Sequence, residues 1–269
     1  MKKKIFAIVL CVVMMAIAIA GGTMAYFTDT DTVTNTMTVG KVQIEQNEYE
    51  WNADLTGVQA FTQNKTFVPA NKIPSAYVVP ANAPATINGQ SSAFYTRLDI
   101  ENAVDKYITV KNTADAYPDG KSDGSRDAYV RTIVLLPSAQ FYKPAADGKS
   151  QQWFIWASSN DNTGKLGSKW AYECIDGVNA LQIGSGKYEV MTFTYTEAIA
   201  PQYETEPCLR QLYMRPEVTQ EDMENISNIQ VLTLTQAAQA NGFDDAETAL
   251  NTAFGEVTAA NLADWFSLS

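Results

Sequence analysis

Apolar residues in this chain come in short runs, each closed off by turn formers. The clearest are YITV at 107–110, AYVRTIVLL at 128–136, WFIW at 153–156, WAYEC at 170–174 and YEVMTFTY at 188–195. Runs this short cannot carry a long amphipathic helix, and they are rich in β-branched and aromatic residues that pack well on a pleated surface. Two hairpins are expected. One joins Trp153–Trp156 to Trp170–Cys174 across the loop 158–168, and the other joins Leu181–Ile183 to Tyr188–Tyr195 around Gly184-Ser185-Gly186. Further strands are expected to begin near Val39, Val42 and Ile44 and to occupy Leu209–Met214 and Ile229–Leu234. AYVRTIVLL is the most apolar stretch after residue 25 and so the expected central strand. The fold class that follows is mainly β: a jelly-roll-like antiparallel β-sandwich with short helical excursions and a C-terminal helix.

Between the strands, four prolines in 69–92 (Pro69, Pro74, Pro80 and Pro84) point to a long irregular connection. Residues 219–225 suit a short helix. Near the C-terminus the period changes, with Phe243, Ala246, Leu250, Ala253 and Phe254 on one helical face. Asp244 and Glu247 have the spacing of a capping box for that helix.

The first 25 residues read differently. Lys2, Lys3 and Lys4 precede an uninterrupted apolar run from Ile5 to Ala20, then Gly21-Gly22 and the small residues Thr23 and Ala25. Positive region, apolar core and small-residue exit make a secretory signal, with cleavage expected between Ala25 and Tyr26. The apolar run is shorter than the ~20 residues of a spanning helix. The expected organisation is therefore a signal peptide at 1–25 and a single exported domain at 26–269, in which 26–39 is a candidate mobile strand. Once the signal is removed, no membrane attachment is expected.

Charge and composition then limit what that domain does. The chain carries 19 Lys+Arg and 30 Asp+Glu, net −11, and the signal takes three lysines with it. Such an acidic surface repels phosphate backbones, so no nucleic-acid partner is expected. There is no histidine anywhere in the chain. That removes Ser-His-Asp, Cys-His and HExxH chemistry and every imidazole base, and the expectation is that the chain is no enzyme. No cofactor is expected either. Two cysteines remain after processing, Cys174 and Cys208. Outside the cell they can form one disulfide, or stay as two separate thiols. Asp119, Asp123 and Asp127, with Asp29 and Asp31, offer oxygen ligands for calcium, but without EF-hand register. Solvated loop acids are the plainer reading. Tyr142, Trp153, Phe154 and Trp156 could stack on a sugar, or could simply be core on one face of a β pair.

The stretch Gly21-Gly22-Thr23-Met24-Ala25-Tyr26-Phe27-Thr28-Asp29, followed by threonine-rich sequence and Gly40-Lys41-Val42, resembles the SipW-dependent signal peptides of Gram-positive bacteria. Val104 to Thr113 and Ala128-Tyr129-Val130-Arg131 are similar to the K-x-x-x-V-x-N-T-G … AYVR pattern of the same proteins, with Ala114 in place of the glycine. The resemblance is to the TasA/camelysin family. It implies a dedicated signal peptidase as processing partner and a secreted location at the cell surface or in the biofilm matrix. It also implies a structural, fibre-forming role, with camelysin-type metalloproteolysis as a further family activity. A monomeric surface adhesin or glycan binder is the competing expectation. For assembly, Tyr26, Phe27, Val33 and Met37 mark a β-prone segment, polar overall, that could be donated to another copy or to a second exported matrix subunit. The same segment could instead pair within its own domain.

Overall fold

A computed structural model of the chain describes residues 25–27, 35–39, 42–63, 65–120, 123–138, 142–144, 151–153, 155–159, 169–175, 179–224 and 230–268. Its strands begin with β1 (Ala25–Phe27), β2 (Asn35–Val39), β3 (Ile44–Trp51), β4 (Val58–Ala60) and β5 (Lys65–Phe67). Short pieces follow: β6 (Tyr77–Val78), β7 (Thr86–Ile87), β8 (Gln90–Ser91), β9 (Arg97–Leu98) and β10 (Val104–Asp105). The main strands are β11 (Tyr107–Asn112), β12 (Ala128–Pro137), β13 (Tyr142–Pro144), β14 (Gln151–Trp153), β15 (Ile155–Ser159) and β16 (Trp170–Ile175). Last come β17 (Leu181–Ile183), β18 (Gly186–Tyr195), β19 (Leu209–Met214) and β20 (Leu232–Gln239). The helices are α1 (Gln220–Glu224), α2 (Ala246–Phe254) and α3 (Ala259–Trp265).

One layer is the sheet β16-β18-β12-β20-β2, with β17 paired to β18. The other combines β11-β3-β4 with β10-β19-β15. These two halves are joined because the chain around 205–210 bonds back to β11: Cys208 N–H donates to Ile108 O and Thr205 N–H to Val110 O. Side chains from both layers meet in one core, including Ile108 and Val110 from β11, Val130 and Val134 from β12, Phe193 from β18 and Leu212 from β19. The fold is thus mainly β, antiparallel and two-layered, with helices at the C-terminal end.

β12 sits at the centre of the first layer, between β18 and β20, as its apolar run implied. It lacks polar alternation because both its faces are covered. Val130, Val134 and Leu136 enter the inter-sheet core, while Ile133 and Leu135 pack beneath α3 with Leu262. Each such side chain contributes about 1.5–3 kcal/mol by leaving water. Trp170 anchors the same core edge-on to Phe193 and Tyr195, and its indole N–H is satisfied by Glu206 O at 2.8 Å.

The hairpin β17–β18 forms as expected, with Ile183 opposite Gly186. The other expected hairpin does not. β14 pairs with β13, β15 with β19, and β16 with β18, so Trp153–Trp156 and Trp170–Cys174 belong to different sheets. Local turn residues signalled a reversal, but strand partners were chosen by long-range burial. The proline-rich connection is also more ordered than expected. Asn88 and Gly89 take φ of 51° and 79° between β7 and β8, the left-handed pair that a two-residue hairpin requires. β20 lies further along than Ile229–Leu234 and includes Ala237, which enters the inter-sheet core, and Ala238, a small residue over which α2 packs. The expected apolar face of α2 is correct, with Ala246 and Leu250 buried and Phe243, Ala253 and Phe254 packed beside them. Its cap is one residue later than Asp244: Asp245 Oδ1 accepts from Thr248 N–H at 2.8 Å. Gly255, at φ 90°, ends this helix, and Thr258 caps a second one.

Candidate assembly site

The residues expected at the start of the exported domain form two strands on the sandwich. In β1, Ala25 lies opposite Phe67, Tyr26 opposite Thr66 and Phe27 opposite Lys65. In β2, Met37 lies beside Gln236 and is half-buried. β2 runs parallel to β20, whereas the other paired strands described are antiparallel. Among the described residues it is also the edge strand of its sheet, with β20 as its neighbour there. Threonines favour this extended backbone, and β20 presents an unoccupied edge for it to follow. Val33, Asp29 and Asp31 lie outside the described residues.

A polar string holds the layers together close to this edge. Gln46 on β3 donates to Thr233 Oγ1 at 2.9 Å and accepts from Thr235 Oγ1 at 2.7 Å, both on β20. Thr235 continues to Thr132 on β12 at 3.0 Å. Glu48 accepts from Thr233 at 3.2 Å and from the Lys106 ammonium at 2.6 Å. These groups satisfy one another inside the sandwich and tie β20 to β3 and β12 through bonds that do not involve β2. Sequence reading missed the string; the alternation TLTQ at 233–236 was its only visible trace.

On the outer face, beside α2, is a cavity of about 520 Å³ whose lining includes Arg131, Glu173, Thr192, Thr194, Glu247 and Asn251. Arg131 is buried at its base. Its guanidinium reaches Gln236 Oε1 at 2.6 and 3.0 Å, Asn251 Oδ1 at 2.8 Å and Gly255 O at 3.2 Å. Burial lowers its pKa to about 10, against the upward pull of Glu247 and Glu173. The lining offers carboxylates, hydroxyls and an amide, and neither thiol nor imidazole.

The remaining candidates are scattered. Cys174 is exposed on β16, opposite Met191, while Cys208 is buried in the core, and no disulfide joins them. Burial raises the Cys208 thiol pKa well above its ordinary value. Asp123 accepts from Ser125 N–H at 2.8 Å and Asp127 from the Tyr117 hydroxyl at 3.0 Å, so each is engaged in its own loop contact. Asp119 lies in the 3-10 turn Pro118–Gly120. Tyr142 faces Trp153 across β13–β14, and Trp156 faces Tyr213 across β15–β19. Phe154 lies outside the described residues.

Residues 1–53 match the family model for camelysin metallo-endopeptidase. The matched stretch ends just past β3, so the similarity covers the amino-terminal region and the strands β1, β2 and β3. No curated protein and no solved structure matches the chain. A peptidase metal is implied by the family's description, and the donors present do not fit one. The chain has no histidine. Among the described residues no three Cys, Asp or Glu side chains are grouped to hold a metal ion. Nor, among those residues, is any helix long and apolar enough to cross a membrane.

Proposed function

We propose that this chain is an exported bacterial surface or matrix protein, cut between Ala25 and Tyr26, whose structural role is to assemble by donating its N-terminal strand. The observation that carries the reading is the place of β2: a strand in the N-terminal region, parallel to β20, at a sheet edge. Only four residues separate it from β3 in the opposite layer. A strand so attached can leave its own β20 and occupy that of a neighbour with the same backbone hydrogen bonds. Repeated head to tail, this exchange gives an open filament. The similarity of residues 1–53 to the camelysin family and the signal-like N-terminus support export. No hydrolytic step is assigned, because the donor set does not fit the metal such a step needs.

Two measurements test it. N-terminal sequencing of secreted protein is expected to begin at Tyr26, and a start beyond Asp31 overturns the processing step. Negative-stain microscopy is expected to show filaments from protein 26–269 and none from protein lacking 26–39, which stays folded by circular dichroism. Filaments of normal length from the truncated protein overturn strand donation.

A further inference from the structure

All four large hydrophobic residues that are exposed among the described residues fall in one seven-residue segment: Ile73, Tyr77, Val78 and Val79, each 41 to 48 % exposed. Isolated apolar side chains on a surface need no explanation, but four in one segment mark a contact surface. The segment contains β6, which pairs on one side only, with β9. Its hydrogen-bond phase is fixed by Asp99 N–H donating to Ala76 O at 3.1 Å. In an antiparallel pair the bonded positions alternate, so Ala76 and Val78 turn their backbone toward β9, and Tyr77 and Val79 turn theirs away. Leu98, opposite Tyr77, agrees: its N–H points away from β6, to Gln211 Oε1 at 2.5 Å. The edge is rigidly presented. Asp99 accepts from Ser75 N–H, Ala76 N–H, Ser75 Oγ and Lys72 Nζ at 2.6–3.0 Å, and Arg210 stacks on the Tyr77 ring at 4.1 Å.

We propose that this edge is a homotypic interface, in which β6 of one copy pairs antiparallel with β6 of a second copy about a two-fold axis. Charge favours a second copy as occupant. The chain is net −11, yet no Asp, Glu, Lys or Arg occurs between Lys72 and Arg97. Two copies therefore meet here without like charges opposed. Geometry fixes the register. Tyr77 and Val79 supply the outward N–H and C=O groups, whereas Ser75 N–H is already committed to Asp99. Tyr77 thus lies opposite Val79 of the second copy, and Val78 opposite its own equivalent. Pro74 and Pro80 bracket the strand and stop the pairing from spreading into longer sheets. β6 and β9 form a two-stranded sheet of their own, tied through Leu98 to Gln211 on β19, so the contact is separate from donation of β2.

The test uses protein 26–269 with Cys174→Ser throughout. Val78→Cys is expected to give a disulfide-linked dimer under air, because directly opposed residues of a non-bonded antiparallel pair lie about 4.5 Å apart at Cα. Mass spectrometry would find the 78–78 crosslinked peptide, while Gln182→Cys, on the remote β17, gives no disulfide-linked dimer. Val79→Lys added to Val78→Cys is expected to lower the yield of the 78–78 crosslink roughly tenfold or more, with its circular dichroism and melting profile unchanged. Val78→Cys protein that crosslinks no faster than the Gln182→Cys control overturns the proposal. So does a Val78→Cys, Val79→Lys protein that crosslinks at 78 as Val78→Cys alone does, as when the edge receives a different molecule.

Discussion

The Lys106 ammonium lies 2.6 Å from the Glu48 carboxylate, and Lys106 is wholly buried. Its other side is closed by the Phe61 ring, whose centroid is 4.5 Å from Nζ. A buried cation this tightly enclosed depends on its carboxylate.

Removing one partner should therefore cost more than removing both. Glu48→Ala takes the carboxylate from the buried Lys106 ammonium and is expected to destabilise by about 3–5 kcal/mol. Lys106→Met together with Glu48→Leu should recover most of that loss. Urea denaturation of the singles and the double checks it; a Glu48→Ala cost below about 1 kcal/mol would mean the pair is solvated.

Arg131 joins β12, β20 and the end of α2 through neutral acceptors. Arg131→Ala strands Gln236 Oε1, Asn251 Oδ1 and Gly255 O, and should cost about 3 kcal/mol or more by denaturant midpoint. Arg131→Lys is not a rescue, since an ammonium cannot span Gln236 and Asn251 as the planar fork does. Full stability in the lysine variant would refute that role for the fork geometry.

The cap of α2 makes a ranking prediction. Asp245→Ala removes the acceptor for Thr248 N–H and is expected to lower the thermal midpoint, while Asp244→Ala leaves it near the parent value. Equal effects at the two positions would contradict the capping geometry.

Acid is expected to destabilise the fold from below the ordinary carboxylate range. Burial pushes the Glu50 pKa up, but bonds from Lys65, Gln59 and Thr62 outweigh it and hold the carboxyl below its usual value. Lys72, Ser75 and Ala76 lower Asp99 in the same direction. A carboxyl depressed in the folded state stabilises fully above its unfolded value, near 4, and loses that contribution as pH falls through the folded one. With no histidine, stability should be flat from about pH 5.5 to 8. Melting curves across pH 2–8 would show this, and Glu50→Gln should shallow the acid limb. A stability step near pH 6.5 would contradict the assignment.

How much of this was legible beforehand depends on the range of the interaction. The central position of β12, the β17–β18 hairpin and the apolar face of α2 follow from local pattern: a run buried on both faces, a Gly-Ser turn, a 3.6-residue period. The 153–174 hairpin failed because turn residues say that a chain reverses, not which strand it meets. The Asn88-Gly89 turn was in plain sight and was obscured by the prolines around it.

By itself the sequence determined a β-rich chain with a signal-like start and no imidazole chemistry, because composition and short-range periodicity are properties of neighbouring residues. Only the tertiary structure decided that residues 35–39 run parallel to β20, that Lys106 finds Glu48, and that Tyr77 and Val79 turn their backbones outward. Each of those depends on residues far apart in sequence being brought together by burial of a shared core. A strand's pattern specifies its faces; its partner and its open edge are set by the rest of the fold.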